Sequence, residues 1–113
     1  MTRRIVRALD LQDDADLIAE YRAWHRPGAV WTEVRDHIRA QGVLTMEIWQ
    51  VADRLMMIAD VADDFPRAIT EPARVTEWEQ LMDRFQKRLQ GSGPDEKWIE
   101  MERIFVLPPE QRP

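Results

Sequence analysis

The chain has no cysteine, which removes disulfides, thiolate nucleophiles and sulfur-ligated metals from consideration and permits a reducing compartment. It has no run of about 18 apolar residues, so no segment is expected to cross a membrane as a helix. Its start, "MTRRIVRALDLQDD", has charges on both sides of a short apolar run and no signal-peptide core, and the cytoplasm is the expected compartment. No basic block or arginine-rich helix face offsets the net charge of -5, from 16 Lys and Arg against 21 Asp and Glu, and nucleic acid is not an expected partner. Glycine is scarce, with four in 113 residues, and no phosphate-cradling loop is present. A serine nucleophile elbow and an HExxH pair are also missing, so covalent acyl transfer, nucleotide binding and zinc hydrolysis find no support. Histidine occurs twice and without carboxylates at ligand spacing, so no metal site is expected.

What is present describes one globular domain. The chain is long enough for a single core and too short for two; 44% of it is hydrophobic and 33% charged, with both signs interspersed. The expected domain spans residues 1–107, with 108–113, ending in "PPEQRP", as a flexible tail.

"RRIVRALDL" reads as a strand and "QDD" supplies the helix caps Asp13 and Asp14. Leu17, Ile18, Tyr21, Trp24 and His25 then form the buried stripe of a helix that Pro27 ends near His25. Trp31, Val34 and Ile38 signal a second helix terminated at Gly42. "VLTMEIWQV" and "RLMMIADV", separated by "AD", read as a hairpin. The segment "DDFPRAITEP" is a loop leading to a helix starting at Pro72, with Thr70 as a capping candidate. Val75, Trp78, Met82, Phe85 and Leu89, spaced 3, 4, 3, 4, predict that this helix runs to "GSGP", and "KWIEMERIFVL" reads as a final strand.

The two early helices count as one broken crossover, so the order is βαββαβ, an α+β fold of the ferredoxin-like plait with helices on one face of an antiparallel sheet. Leu44, Met46 and Ile48 fall on one alternation set of the first hairpin strand and Val43, Thr45 and Trp49 on the other. Both faces therefore carry apolar residues, and a second copy is the expected cover for the helix-free face, which predicts a homodimer.

Tyr21, the chain's one tyrosine, and His25 lie on one helical row with polar ends at the edge of the core, a geometry suited to joint grip on one small ligand. On spacing alone the plainer reading is favoured, in which both bury their apolar bodies and satisfy their tips locally. Position in the last helical turn favours an imidazolium and predicts a proton donor at His25. His37, at the flank of its stripe, is expected to be solvated or capping. The tryptophans at positions 24, 31, 49, 78 and 98 are expected in the core, but Trp78 precedes Glu79, and a flat apolar wall beside a charged acceptor is what a sugar needs. The methionines, Met46 among them, are expected to fill gaps in the core. Asp60, Glu100 and Glu102 fall in expected strands, where some could face a pocket.

The order of elements, the Tyr-x-x-x-His pair in "EYRAWH", then "VWTEV", "MEIWQVADRLMMIADV", "EWEQLM" and "KWIEMERIFVLP", together resemble the L-rhamnose mutarotase family over nearly the whole chain. The resemblance implies a cofactor-free dimer of the dimeric α/β-barrel type that interconverts α and β anomers of a deoxy-sugar. It implies that His25 is the proton donor and that Tyr21 binds substrate. It also places Met46 where the family has a further tyrosine, and Trp78 and Glu79 where the family has paired tryptophans. Met46 and Glu79 depart from the rhamnose pattern, and "MEIW" and "WEQLM" resemble the branch associated with L-fucose. The expected function is an aldose mutarotase opening and closing a 6-deoxy-L-hexose, L-fucose or L-rhamnose, by acid/base chemistry with a monosaccharide as its only partner besides a second copy. The alternatives are a cofactor-independent monooxygenase, with His25 as base toward a phenolic substrate, and a non-catalytic dimeric binding module. Glu79 favours a hydroxyl-rich sugar over an apolar polycycle.

Overall fold

Ten residues of alternating burial, Thr2–Leu11, make strand β1, which the chain uses as the middle of its sheet. The computed structural model describes residues 2–94 and 96–110, so residues 111–113 of the expected tail lie outside the described residues. Helix α1 (Ala15–Trp24) follows, then α2 (Thr32–Ala40), β2 (Val43–Val51), β3 (Arg54–Ala62), α3 (Ala73–Asp83), β4 (Gln86–Lys87) and β5 (Ile99–Glu100). The sheet order is β2-β3-β1-β4, and β5 also pairs with β1. All pairings are antiparallel. Because β4 meets β1 at Asp10 and Leu11 and β5 meets it at Arg7 and Ala8, they are two short pieces of one outer strand position. This is the expected βαββαβ order.

Local chemistry explains the boundaries. The Asp14 carboxylate accepts hydrogen bonds from the backbone N–H groups of Asp16 and Leu17, which starts α1, and His25 caps its other end. The hairpin turns on Ala52 and Asp53, with Ala52 at φ 51, the left-handed geometry that a two-residue turn requires. Gly42, at φ 107 and packed against the backbone and side chain of Phe65, lets α2 turn directly into β2.

Cross-strand register assigns the faces. Ile5, Leu9 and Leu11 of β1 share a face with Leu55, Met57, Ala59 and Val61 of β3, and the helices cover it. One cluster joins Leu11 and Leu55 to Tyr21, Val34, Val75, Trp78, Met82 and Phe85; a second joins Ile5, Ala59 and Val61 to Val43 and Phe65. The opposite, helix-free face carries Val6, Met56, Ile58 and Trp49, with Trp49 57% exposed.

Three expectations are corrected. A bulge between Val43 and Thr45 shifts the alternation of β2, so Val43, Met46 and Ile48 face the helices while Thr45, Glu47 and Trp49 face away, and Leu44 is exposed. Helix α3 ends at Asp83 rather than continuing to Leu89. The Phe85 N–H donates to the Met82 carbonyl and its own carbonyl accepts from the Gln12 backbone N–H, so Phe85 is buried from a turn that hands α3 over to β4, and a 3–4 spacing is met by a turn as well as by a helix. The final strand shrinks to Ile99–Glu100, extended by one hydrogen bond from the Met101 N–H to the Val6 carbonyl. Beyond it the chain leaves the sheet, with Ile104 93% and Leu107 81% exposed. Asp60 lies on the helix-free face, where it is paired with Arg4 and accepts from Thr45.

Candidate active site

A cavity of about 570 Å³ lies between the helix-covered face of the sheet and the helices. Tyr21, His25, Met46, Trp78 and Glu79, the five residues singled out in the sequence, all line it. Its volume falls in the usual range for small-molecule sites.

The core of the site is set by one turn of α1. Tyr21 is buried, and its ring lies 4.3 Å from that of His25 by centroids and 6.1 Å, edge-on, from Phe85. His25 places Nδ1 2.8 Å from the Tyr21 carbonyl oxygen. A carbonyl only accepts, so Nδ1 carries the proton and donates it there, and Nε2 has no hydrogen-bond partner among the described residues. Burial lowers the pKa of His25 and outweighs the opposing effect of the bond to Tyr21. The helix dipole favours the imidazolium, but burial is the larger effect and favours the neutral ring. Burial also pushes the Tyr21 phenol up to about 12, with the nearby Gln86 side chain pulling the other way and the Glu79 charge adding to the rise.

Trp78 is both core and wall. It is 4% exposed, packs edge-on against Trp31 and Trp24 at 5.1 and 6.0 Å, and meets the His25 ring at 5.7 Å. Trp24 and Trp31 fill the core, Trp98 lines the cavity, and Trp49 stands on the opposite face of the sheet. Met46, opposite Ala59, contributes an apolar patch. Glu79, directly after Trp78, and Asp83, one turn further along α3, grip the Lys97 ammonium at 2.8 and 2.7 Å. Burial disfavours the Lys97 charge, yet the hydrogen bonds it donates to Asp83 and Glu79 prevail and its pKa is raised. No spacing rule links Glu79 to Lys97, 18 residues on, so sequence reasoning missed this contact.

His37 is a further correction. It is 8% exposed and lines the cavity rather than facing solvent, since the end of α2 tucks beneath the bulged start of β2. Gln86, directly after the buried Phe85, was also missed; the 3–4 spacing had placed it on a helix. No cluster of three or more His, Asp or Glu side chains suited to a metal occurs among the described residues, and none of the described helices is long and apolar enough to cross a membrane.

The family described as L-rhamnose mutarotase matches residues 4–107. The chain belongs to the L-rhamnose mutarotase family. Its relatives include an L-fucose mutarotase of Xanthomonas campestris pv. campestris, 46% identical over 110 residues that make up 93% of this chain and 88% of that one. A protein of Dictyostelium discoideum is 31% identical over 110 residues, 89% of this chain and 86% of the other. The fold is that of a crystallised L-rhamnose mutarotase from Formosa agariphila, with a TM-score of 0.67 at 18% identity over 94% of this chain and 99% of that one.

This member is thereby a sugar mutarotase, an isomerase acting on carbohydrates, and the monooxygenase and pure-binding alternatives are not favoured. The mutarotase cavity combines an imidazole lone pair, a phenol that stays protonated, an aromatic wall and a fixed carboxylate. Opening a hemiacetal asks for groups of that kind: one to move a proton, and donors to hold the oxygen on which charge develops.

Proposed function

We propose that the chain interconverts the α and β anomers of L-fucose, or of a close 6-deoxy-L-hexose, with His25 moving the proton and Tyr21, Met46, Trp78 and Glu79 holding the sugar. The observation that carries the chemistry is the His25 ring in the cavity wall, its Nδ1 engaged by the Tyr21 carbonyl 2.8 Å away and its Nε2 left for substrate. The preference for L-fucose rests on the relative of that name, 46% identical over 93% of the chain.

Nε2 takes the proton from the anomeric hydroxyl as the bond between C1 and the ring oxygen breaks. The imidazolium so formed gives that proton to the freed ring oxygen, which has just left the same carbon and lies within reach of the same nitrogen. Rotation about C1–C2 presents the other carbonyl face, and the steps run in reverse. The histidine is therefore base and donor in turn, and protons balance without a second titrating group. Tyr21 donates a hydrogen bond, not its proton. With the phenol at about 12 and the imidazole below 6.5, full transfer between them would cost roughly 7 kcal/mol or more. The apolar ring faces of Trp78 and Met46 suit the deoxy carbon and ring hydrogens, and the Glu79 carboxylate, fixed by Lys97, accepts from hydroxyls.

The proposed assembly is a homodimer of single-domain chains, spanning residues 1–107 with 108–113 as a tail. What supports it is the helix-free face with Trp49 exposed, together with the apolar run at 104–107, which stays exposed among the described residues. The cytoplasm is the proposed compartment, in keeping with a chain free of cysteine.

The deciding experiment is NMR saturation-transfer exchange between anomers of L-fucose, L-rhamnose and other aldoses, with wild type and His25→Asn. Acceleration of L-fucose exchange lost in the variant is the expected result. No acceleration for any sugar would remove the reading.

A further inference from the structure

Between Ile5 and Leu11 the helix-covered face of β1 is apolar except at one place. Ile5, Leu9 and Leu11 are each no more than 4% exposed, and Arg7 stands among them on the same face, half-buried and lining the cavity. Its place coincides with a division in the core. Ile5 belongs to the cluster around Phe65 and Leu11 to the cluster around Tyr21, so the charge sits where the two apolar clusters part, under the cavity that both help to line.

A guanidinium in that position has given up part of its water, which is costly unless its N–H groups find acceptors. No hydrogen bond or ion pair holds it among the described residues. Glu100 lies directly opposite in register and still does not pair with it, and what faces it instead is the ring of Phe65, with 5.6 Å from the guanidinium carbon to the ring centroid. That ring is fixed from two sides. The Phe65 carbonyl accepts from the Arg3 guanidinium at 2.7 Å, and Gly42 packs against the Phe65 side chain and backbone.

Arginine only donates, through a planar fork of N–H groups that matches two neighbouring oxygens. Glu79, held by Lys97 in the same cavity, only accepts. A sugar hydroxyl does both, so the two charges address opposite capacities of the same kind of group. Arg7 stands four residues before Leu11, about 13 Å along the strand, and Leu11 packs with Tyr21. A hexose held at Tyr21 and His25, together with the stem of one arginine, fills that span.

We infer that Arg7 is a further substrate-binding residue of the cavity: its guanidinium, presented by the middle of the central strand, donates to two neighbouring hydroxyl oxygens of the sugar at the end of the cavity nearer Phe65. This rests on the mutarotase reading of the same cavity.

The test uses Arg7→Met, which keeps the length of the stem and removes the fork, and Arg7→Lys, which keeps the charge as a single point. Binding of L-fucose and of its 2-, 3- and 4-deoxy analogues is measured by calorimetry, and kcat and KM by anomer exchange. Arg7→Met should weaken L-fucose binding about tenfold, with the loss of kcat/KM carried mainly by KM, and Arg7→Lys should fall between it and wild type. For the two deoxy sugars that lack a gripped hydroxyl the loss should shrink to about threefold, because one of the two bonds is already gone, while the third keeps the full loss. The thermal midpoint without sugar should not drop in Arg7→Met, since an apolar side chain then joins an apolar row. Unchanged binding in Arg7→Met, or equal losses for all three deoxy sugars, would overturn the inference. If Arg7→Met does not fold, Arg7→Lys with the same sugars decides alone. Wild type that accelerates exchange of no sugar refutes the mutarotase reading itself, whereas active wild type with indifferent Arg7 variants refutes only this inference.

Discussion

The Nδ1 of His25 lies 2.8 Å from the carbonyl oxygen of Tyr21, one helical turn earlier, so the histidine's tautomer is fixed by the backbone of the residue whose ring it stacks against. The free nitrogen is thereby aimed by the helix itself. His25→Asn should lower kcat on the order of 10²- to 10⁴-fold with the fold intact by circular dichroism.

The same burial sets the pH response. The folded pKa of His25 is depressed below 6.5, so exchange should be fully active at neutral pH and fall as pH drops through that lowered value. Stability follows with the same sign. The contribution is whole above the unfolded pKa of 6.5 and is lost as pH falls through the folded one. Parallel NMR titration of the His25 ring and rate measurement check both; an acid limb centred above 6.5 would contradict the burial argument.

Tyr21 is the sole tyrosine, so an ultraviolet tyrosinate titration reads it alone. Its midpoint should lie near 12 in the folded protein and return to about 10 on unfolding in denaturant. Tyr21→Phe should reduce kcat/KM roughly tenfold while shifting the thermal midpoint little.

Trp78 holds Trp24, Trp31 and His25 in one edge-to-face cluster. Truncation to alanine should cost about 3–5 kcal/mol in urea unfolding, as for other large core residues, whereas Trp78→Phe should fold and lose activity more than stability.

Lys97→Met strands Glu79 and Asp83 as neighbouring like charges on α3. Since those carboxylates are 47% and 60% exposed, water screens the loss, and stability should fall by no more than about 1 kcal/mol. The larger effect is expected in KM for the sugar, because Glu79 loses its anchor. An unchanged KM would remove Glu79 from the binding set.

Deleting residues 104–113 or introducing Trp49→Glu should each convert a dimer to a monomer in analytical ultracentrifugation. A wild-type monomer at micromolar concentration would remove the dimer proposal.

How much of this could be read from the chain varies element by element, and the reasons are physical. Asp14, the Tyr21–His25 row and the hairpin were legible because each depends on contacts within a few residues. The bulge at Leu44 was not, because two apolar faces give no clue to which residue slips. Phe85 was assigned to a helix since its apolar character reports burial rather than backbone shape. His37 was placed in solvent because its surroundings depend on how α2 meets β2. The dipole of its own helix was legible at His25, but the opposing burial was not, since it comes from other elements, Trp78 of α3 among them. Gln86 and Lys97 carry no local signature at all; only the tertiary fold brings them to Tyr21 and Glu79.

The split outer strand has a consequence for motion. β4 and β5 each hold β1 through two residue pairs, whereas β3 holds it through nine from Thr2 to Asp10. The stretch between the two pieces, residues 88–98, brings Trp98 to the cavity and Lys97 to Glu79. In amide hydrogen exchange this wall should release its protons long before the β1–β3 ladder does. The wall that carries Trp98 and Lys97 is thus tied to the central strand by far fewer residue pairs than β3 is.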